Sequence, residues 1–276
     1  MKKLIKRSLS FAILFSICVT AVFNLTSCGY KRISTQKTDL NLDDYVLVAY
    51  DEFEGSKLNS SLWEYRYSGK RHGGFNHPDQ VSVENGKLVI TAEHRSSEYG
   101  EGWHSGMIRL KKTYTYGYFE IRCMPNNSAD FTSSFWLQNE ASLSHEISGG
   151  GVNGAQIVVF TTQSDSSLRN KNIISANVYC NGSDNNQNEL EGENVANVYI
   201  PDLHDNYTTF GLMWTDTEYI FYVNGEEIGR SSFSRGTSSV PEEIIVSLNI
   251  PNEINLDKRE ATKFIIDYVK VYQLRK

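Results

Sequence analysis

Cysteine is scarce in this 276-residue chain, and its scarcity removes two architectures from consideration. Cys18 and Cys28 fall in an N-terminal apolar stretch, so only Cys123 and Cys180 belong to the body. Two cysteines do not make a disulfide framework, although an envelope location would permit a bond between them; buried free thiols are the simpler expectation. No spacing of Cys or His matches a zinc site. An excess of basic charge is missing too, since 27 basic residues face 33 acidic ones. A negative surface argues against nucleic acid or an anionic membrane surface as a partner, and it repels heavily sulfated polysaccharide unless a local basic patch intervenes. Neutral glycans meet no such penalty. Helical periodicity is almost absent, with Leu58 to Trp63 offering one turn at most. No internal linker or repeat is evident. One stretch also lacks acid altogether: from Ile147 through Ser164 there is neither Asp nor Glu.

The first 27 residues read as a targeting segment. Lys2, Lys3, Lys6 and Arg7 form a basic head, and an apolar run follows from Leu9 to Leu25. A membrane span is disfavoured because the run is short and Asn24 and Thr26 interrupt its end. That end, Leu25-Thr26-Ser27-Cys28, resembles a bacterial lipobox, which implies cleavage before Cys28 and lipidation of its sulfur. Gly29 after the lipidated position points to the outer membrane, while the basic Lys31 and Arg32 leave the periplasmic or external face open. Cleavage leaves 23 basic against 33 acidic residues, a charge of about −10. Residues 28–44 are polar and aperiodic, as expected of a tether, and 45–276 are expected to form one monomeric domain.

The pattern of that domain is β almost throughout. From Tyr116 to Cys123, Phe119, Ile121 and Cys123 fall on one face, and Tyr118, Glu120 and Arg122 on the other. Glu120 and Arg122 then suggest a surface ion pair. Phe264 to Tyr272 reads as one long strand. Asn85-Gly86 and Asn224-Gly225 each sit between apolar runs, the strongest short signal for a tight hairpin. Many strands at short spacing in one large domain predict an all-β sandwich of two antiparallel sheets.

Several blocks, in order, carry a resemblance. They are Asp51-Glu52-Phe53-Glu54-Gly55 with Leu62-Trp63, Val81 to Ile90, Ser105-Gly106-Met107-Ile108, and Tyr116 to Arg122. Ser133-Ser134-Phe135-Trp136-Leu137-Gln138, Tyr207 to Thr215, Tyr222-Val223-Asn224-Gly225 and Ile266 to Tyr272 complete the series. Together they resemble glycoside hydrolase family 16, the laminarinase, lichenase and agarase group. The resemblance implies a concanavalin A-like jelly roll that recognises β-linked polysaccharide or oligosaccharide, with no cofactor for its chemistry. Members hydrolyse their substrates with retention, using Glu-x-Asp-x-Glu or Glu-x-Asp-x-x-Glu. Side chains two apart on a strand share a face, and a bulge lets the third acid keep that face one residue later. One carboxylate attacks the anomeric carbon while another, about 5–5.5 Å away, protonates the leaving oxygen.

Aligned on Gly154-Ala155, the nucleophile position is Gln156, the middle Asp is Val158, and the last acid is Phe160 or Thr161. An amide, an alkyl group and a phenyl or hydroxyl group cannot perform those roles near neutral pH. Glu146 is the fallback acid, but Gly149-Gly150-Gly151 follows it and disfavours a rigid strand. A cleft without its acids still holds sugar through aromatic faces and amides. By position the candidates are Trp103, Phe131, Trp136, Gln138, Gln156, Asn177 and Tyr179, with Arg71 and His72 reaching the rim; Trp63 and Trp214 read as core. The resemblance also implies a structural calcium at Glu52, Gly86 and Asp267, the alternative for Asp267 being a salt bridge or an exposed edge. The leading expectation is therefore a lipid-anchored envelope protein that binds glycan without cleaving it. A retaining endo-hydrolase with acids outside the usual motif, and a structural protein that offers the cleft to a protein partner, are the alternatives.

Overall fold

Alternation of apolar and polar residues gives each strand one buried face, and two sheets close on each other along those faces. The computed structural model describes residues 30–139, 150–163, 172–180, 191–232, 236–252 and 260–276. Lys31–Lys276 form one unit. Its eight-stranded sheet runs in the order Lys31–Arg32, Glu191–Tyr199, Ile173–Cys180, Gln156–Thr162, Thr132–Gln138, Glu243–Asn249, Met107–Leu110 and Trp63–Tyr65. The facing eleven-stranded sheet is built around the long strand Thr262–Leu274, which pairs with Gly117–Met124 on one side and with Lys87–Ser97 and Tyr45–Asp51 on the other. Among the described strands every pairing is antiparallel except two short ones, Lys31–Arg32 with Val198–Tyr199 and Phe75–Asn76 with His104–Ser105. The jelly-roll sandwich predicted above is the observed fold.

The interior is apolar and aromatic. Phe119, Ile121 and Cys123 are fully buried in it, as are Trp63 and Trp214. Phe160 of one sheet stacks on Phe210 of the other, with ring centroids 3.9 Å apart. Cys123 and Cys180 are buried free thiols. Both Asn-Gly pairs make tight hairpins, with φ of 52° and 71° at Asn85 and Gly86 and 51° and 77° at Asn224 and Gly225. Both residues of such a turn need left-handed backbone, which asparagine and glycine accept most readily.

One expectation fails here. The segment 31–44 is fastened to the domain rather than free. Lys31–Arg32 extend the eight-stranded sheet, Ile33 is buried in the core, and the backbone N–H of Thr38 donates to the carbonyl of Asn224 at 2.7 Å. A single apolar side chain with a waiting slot, plus paired backbone groups, overrides the polar composition that suggested a tether. Cys28 lies outside the described residues.

Candidate functional site

A cleft of about 340 Å³ lies on the outer face of the eight-stranded sheet, centred on the strands Thr132–Gln138 and Gln156–Thr162. Register decides which side chains enter it. Gln138 pairs with Gln156, Trp136 with Val158, Phe135 with Phe160 and Ser134 with Thr161, so Val159 is an extra residue. The neighbouring strand repeats the offset, with Val158 opposite Asn177 and Thr161 opposite Ser175. This bulge turns both Val159 and Phe160 into the core and delivers Gln156, Val158 and Thr161 to the same side. Thr161, not Phe160, takes the third position.

The centre of the cleft floor is apolar. Trp136 and Val158 pack with Met107 and Ile245, and Tyr179 leans against them. The Trp136 indole N–H donates to Ser247 Oγ at 3.0 Å, which fixes the ring along the sheet and leaves only 6% of the residue exposed. Tyr179 faces Gly192 across the strand pair, where a Cβ would stand 2.3 Å from its ring. Glycine at that place is what lets the ring lie over the adjacent strand. Burial pushes the Tyr179 hydroxyl above its ordinary pKa, so it stays a neutral donor.

Amides surround this patch. Asn177 Oδ1 accepts from Asn194 Nδ2 at 2.8 Å, and Asn197 Oδ1 accepts from Ser175 Oγ at 2.6 Å and from Gln163 Nε2 at 3.3 Å. Ser134 Oγ donates to Thr161 Oγ1 at 2.9 Å. At the rim, His72 Nδ1 lies 2.8 Å from Asn252 Oδ1, beside Arg71.

Carboxylates do occur on this face, but cations hold them. Gln138 Oε1 accepts from Arg66 Nη2 at 3.0 Å, and Arg66 Nε donates to Glu243 Oε2 at 2.8 Å. Arg109 also binds Glu243 and donates to Glu64 Oε1 at 2.7 Å. Arg66 is nearly buried, stacked 4.1 Å from the Tyr67 ring and 5.2 Å from that of Trp136. No Asp or Glu lines the cleft among the described residues.

A family model for the glycoside hydrolase family 16 domain of β-porphyranases A–D matches residues 47–274. The chain belongs to glycoside hydrolase family 16. A β-glucanase of Acetivibrio thermocellus is 25% identical over 229 residues, which cover 79% of this chain and 60% of that protein. The endo-1,3-1,4-β-glycanase ExsH of Rhizobium meliloti (strain 1021) is 23% identical over 232 residues, 80% of this chain and 45% of ExsH. The chain thus spans about half the length of the curated relatives it matches. Among solved structures, LamA from Z. galactanivorans in complex with laminaritriose and laminaritetraose superposes with a TM-score of 0.66 at 18% identity, covering 82% of this chain and 98% of that one. Porphyranase B from Zobellia galactanivorans gives 0.68 at 18% identity, covering 84% and 94%. These structures share the family 16 fold.

Within that fold the positions singled out from sequence divide. Gln138, Gln156, Asn177, Tyr179, Trp136 and Arg71 come together at the cleft, as do Val158, Thr161 and His72. Trp103 and Phe131 do not. Their rings meet at 4.8 Å inside the core, each residue 2% exposed, because interior volume between the sheets claims large aromatics from both. Glu146 lies outside the described residues. Arg66, Tyr67, Asn194, Asn197 and Asn249 also belong to the site or its supports and were missed. Tyr67 and His72 carried no sequence mark of their left-handed backbone, φ 53° and 50°.

The residues expected around calcium sit on the other sheet, and cations already occupy them. Lys87 Nζ lies 2.7 Å from Asp267 Oδ1, and Arg122 binds Asp267 Oδ2 instead of pairing with Glu120. Glu120 accepts from the hydroxyls of Tyr118 and Tyr268. Glu52 Oε1 lies 3.2 Å from Lys270 Nζ. Among the described residues no cluster of three or more His, Cys, Asp or Glu is placed to hold a metal.

Proposed function

We propose that this family 16 domain binds β-linked polysaccharide in the Gln156 cleft without hydrolysing it. The observation that carries the reading is the side-chain set on the bulged strand: the face that must present three acids presents Gln156, Val158 and Thr161. Retaining hydrolysis needs a nucleophilic carboxylate and a proton donor on opposite sides of the scissile bond. Glu243 and Glu64 are engaged by Arg66 and Arg109, and Gln138 stands between Glu243 and Gln156 across the sheet, so neither is set to serve beside Gln156. Binding, by contrast, is well provided for. Tyr179 and the exposed part of Trp136 offer faces for pyranose C–H groups, and the amides of Gln156 and Asn177 offer donors and acceptors to hydroxyls. The names of the relatives, β-glucanases, laminarinases and a porphyranase, support a β-linked glycan as the ligand class. In this reading the protein is held in a bacterial envelope, on the outer membrane, through a lipid on Cys28, and works as a monomer.

Electrophoresis through gels containing laminarin, lichenan, agar or porphyran tests both halves. The expected result is retardation by one or more of them and no release of reducing ends during prolonged incubation. Hydrolysis that vanishes in Glu146→Gln would overturn the reading in favour of an active enzyme. Absence of retardation across a broad panel would overturn it in favour of a protein partner.

A further inference from the structure

Away from the cleft, the Asn85-Gly86 hairpin brings two oxygens to one point: the carbonyl of Gly86 and the carboxylate of Asp267. An ammonium group stands at that point. Lys87 Nζ donates to the Gly86 carbonyl at 3.0 Å and lies 2.7 Å from Asp267 Oδ1. Arg122 holds the second carboxylate oxygen, and the Arg122 guanidinium is itself stacked on Tyr207 at 4.7 Å. Glu84, opposite Lys87 in the hairpin, accepts from Ser82 Oγ, and Glu52 lies beside Lys270, whose ammonium is 4.2 Å from the centre of the Tyr268 ring. A calcium ion takes about six to eight oxygen ligands at roughly 2.3–2.6 Å. Here the convergent oxygens already share a positive charge, and a second cation beside them would be repelled. Burial pushes the Asp267 carboxyl upward, but the bonds from Lys87 and Arg122 outweigh it and hold the pKa below the ordinary range, so the carboxylate is charged.

We propose that the Lys87 ammonium is a built-in substitute for a structural calcium, bridging the Gly86 carbonyl and the Asp267 carboxylate, so that the domain's stability is independent of calcium. The hairpin and the closing strand Thr262–Leu274 are then tied together by a charge that cannot dissociate from the chain. This holds whether or not the cleft binds glycan. A metal-bound relative loses stability on chelation by mass action; an internal ammonium does not respond to chelator.

The test is thermal unfolding of the full chain with EDTA, with millimolar calcium chloride and with neither, together with terbium luminescence as a direct probe of a lanthanide-accessible oxygen cage. The expected result is an unchanged Tm in all three conditions and no sensitised terbium emission. Lys87→Met keeps the aliphatic stem and removes the charge, and it should lower Tm by about 3 °C or more in every condition alike. A wild-type Tm that falls with EDTA or rises with calcium overturns the proposal. So does a Lys87→Met protein as stable as the wild type. The wild-type measurement decides the question even if the variant fails to fold.

Discussion

Glu242→Gln probes the anchor that holds the cleft strand in place. Glu242 is fully buried at the head of the strand Glu243–Asn249. Its Oε1 accepts from Ser238 Oγ at 2.6 Å and from the backbone N–H of Ala155, one residue before Gln156, at 3.1 Å. Among the described residues Oε2 has no hydrogen-bond partner. Burial pushes the carboxyl pKa from 4.5 up to about 8, against the smaller downward pull of the Ser238 and Ala155 bonds. The folded protein therefore keeps Glu242 neutral at pH 7, whereas the unfolded chain ionises it. Folded protein binds the extra proton, so the contribution to stability is complete below the unfolded pKa and is lost as pH rises toward the folded one. The loss accrues at roughly 1.4 kcal/mol per pH unit and approaches about 5 kcal/mol in all. Glutamine preserves the oxygen that Ala155 and Ser238 use and has no proton to lose. Its amide NH2 replaces an Oε2–H that already lacks a partner and adds one more unpaired N–H, a cost of about 1 kcal/mol at every pH. Urea unfolding of both proteins from pH 5 to pH 8 should show the variant weaker at the acid end and gaining on the wild type by about 4 kcal/mol across the range. Parallel pH profiles would refute the reasoning, because they would mean that Glu242 reaches water or a cation in the folded state.

Three further outcomes follow from the same geometry. A protein begun at Tyr45 loses the buried Ile33 and its neighbouring backbone bonds, and should be less stable by about 2–4 kcal/mol in chemical unfolding, with circular dichroism still reporting β structure. Gly192→Ala pushes the Tyr179 ring off the adjacent strand and should weaken retardation in glycan gels by about tenfold while Tm changes little, a split that a purely structural role for Tyr179 would not give. Gln156→Glu, Val158→Asp and Thr161→Glu together restore the acid pattern on the bulged strand; slow release of reducing ends is expected, alongside a loss of about 2–4 kcal/mol from charge placed against Trp136 and Ile245. A folded triple variant that binds glycan yet releases none would count against the placement of these three side chains on one face.

The sheet class, the two Asn-Gly hairpins and the cleft positions on strands Thr132–Gln138 and Gln156–Thr162 were legible because each rests on local signals: period-two alternation, turn chemistry and short motifs. What escaped depends on partners far along the chain. Nothing in Val159-Phe160-Thr161 says where the extra residue lies; Phe210, on the opposite sheet, draws Phe160 inward and settles it. Trp103 and Phe131 were assigned to the cleft by position, but each finds the other in the interior, a pairing across 28 positions that no local pattern encodes. The polar run around Ile33 concealed its docking for the same reason, since its backbone partner is Tyr199. Lys87 beside Asp267 was invisible until the closing strand was laid against the hairpin.

The irregularity at Val159 separates two jobs that a regular strand would confound. Because two consecutive apolar residues dip into the interior there, the path of the chain is dictated from within, by Phe160 against its aromatic neighbour, and not by whatever lines the groove outside. The outward-facing trio can consequently vary at a cost in stability, Val158 being packed against Trp136 and Ile245, without rerouting the strand. A scaffold of this kind can surrender its chemistry one side chain at a time and keep its shape, which makes the same three places the natural entry point for writing a new specificity into it.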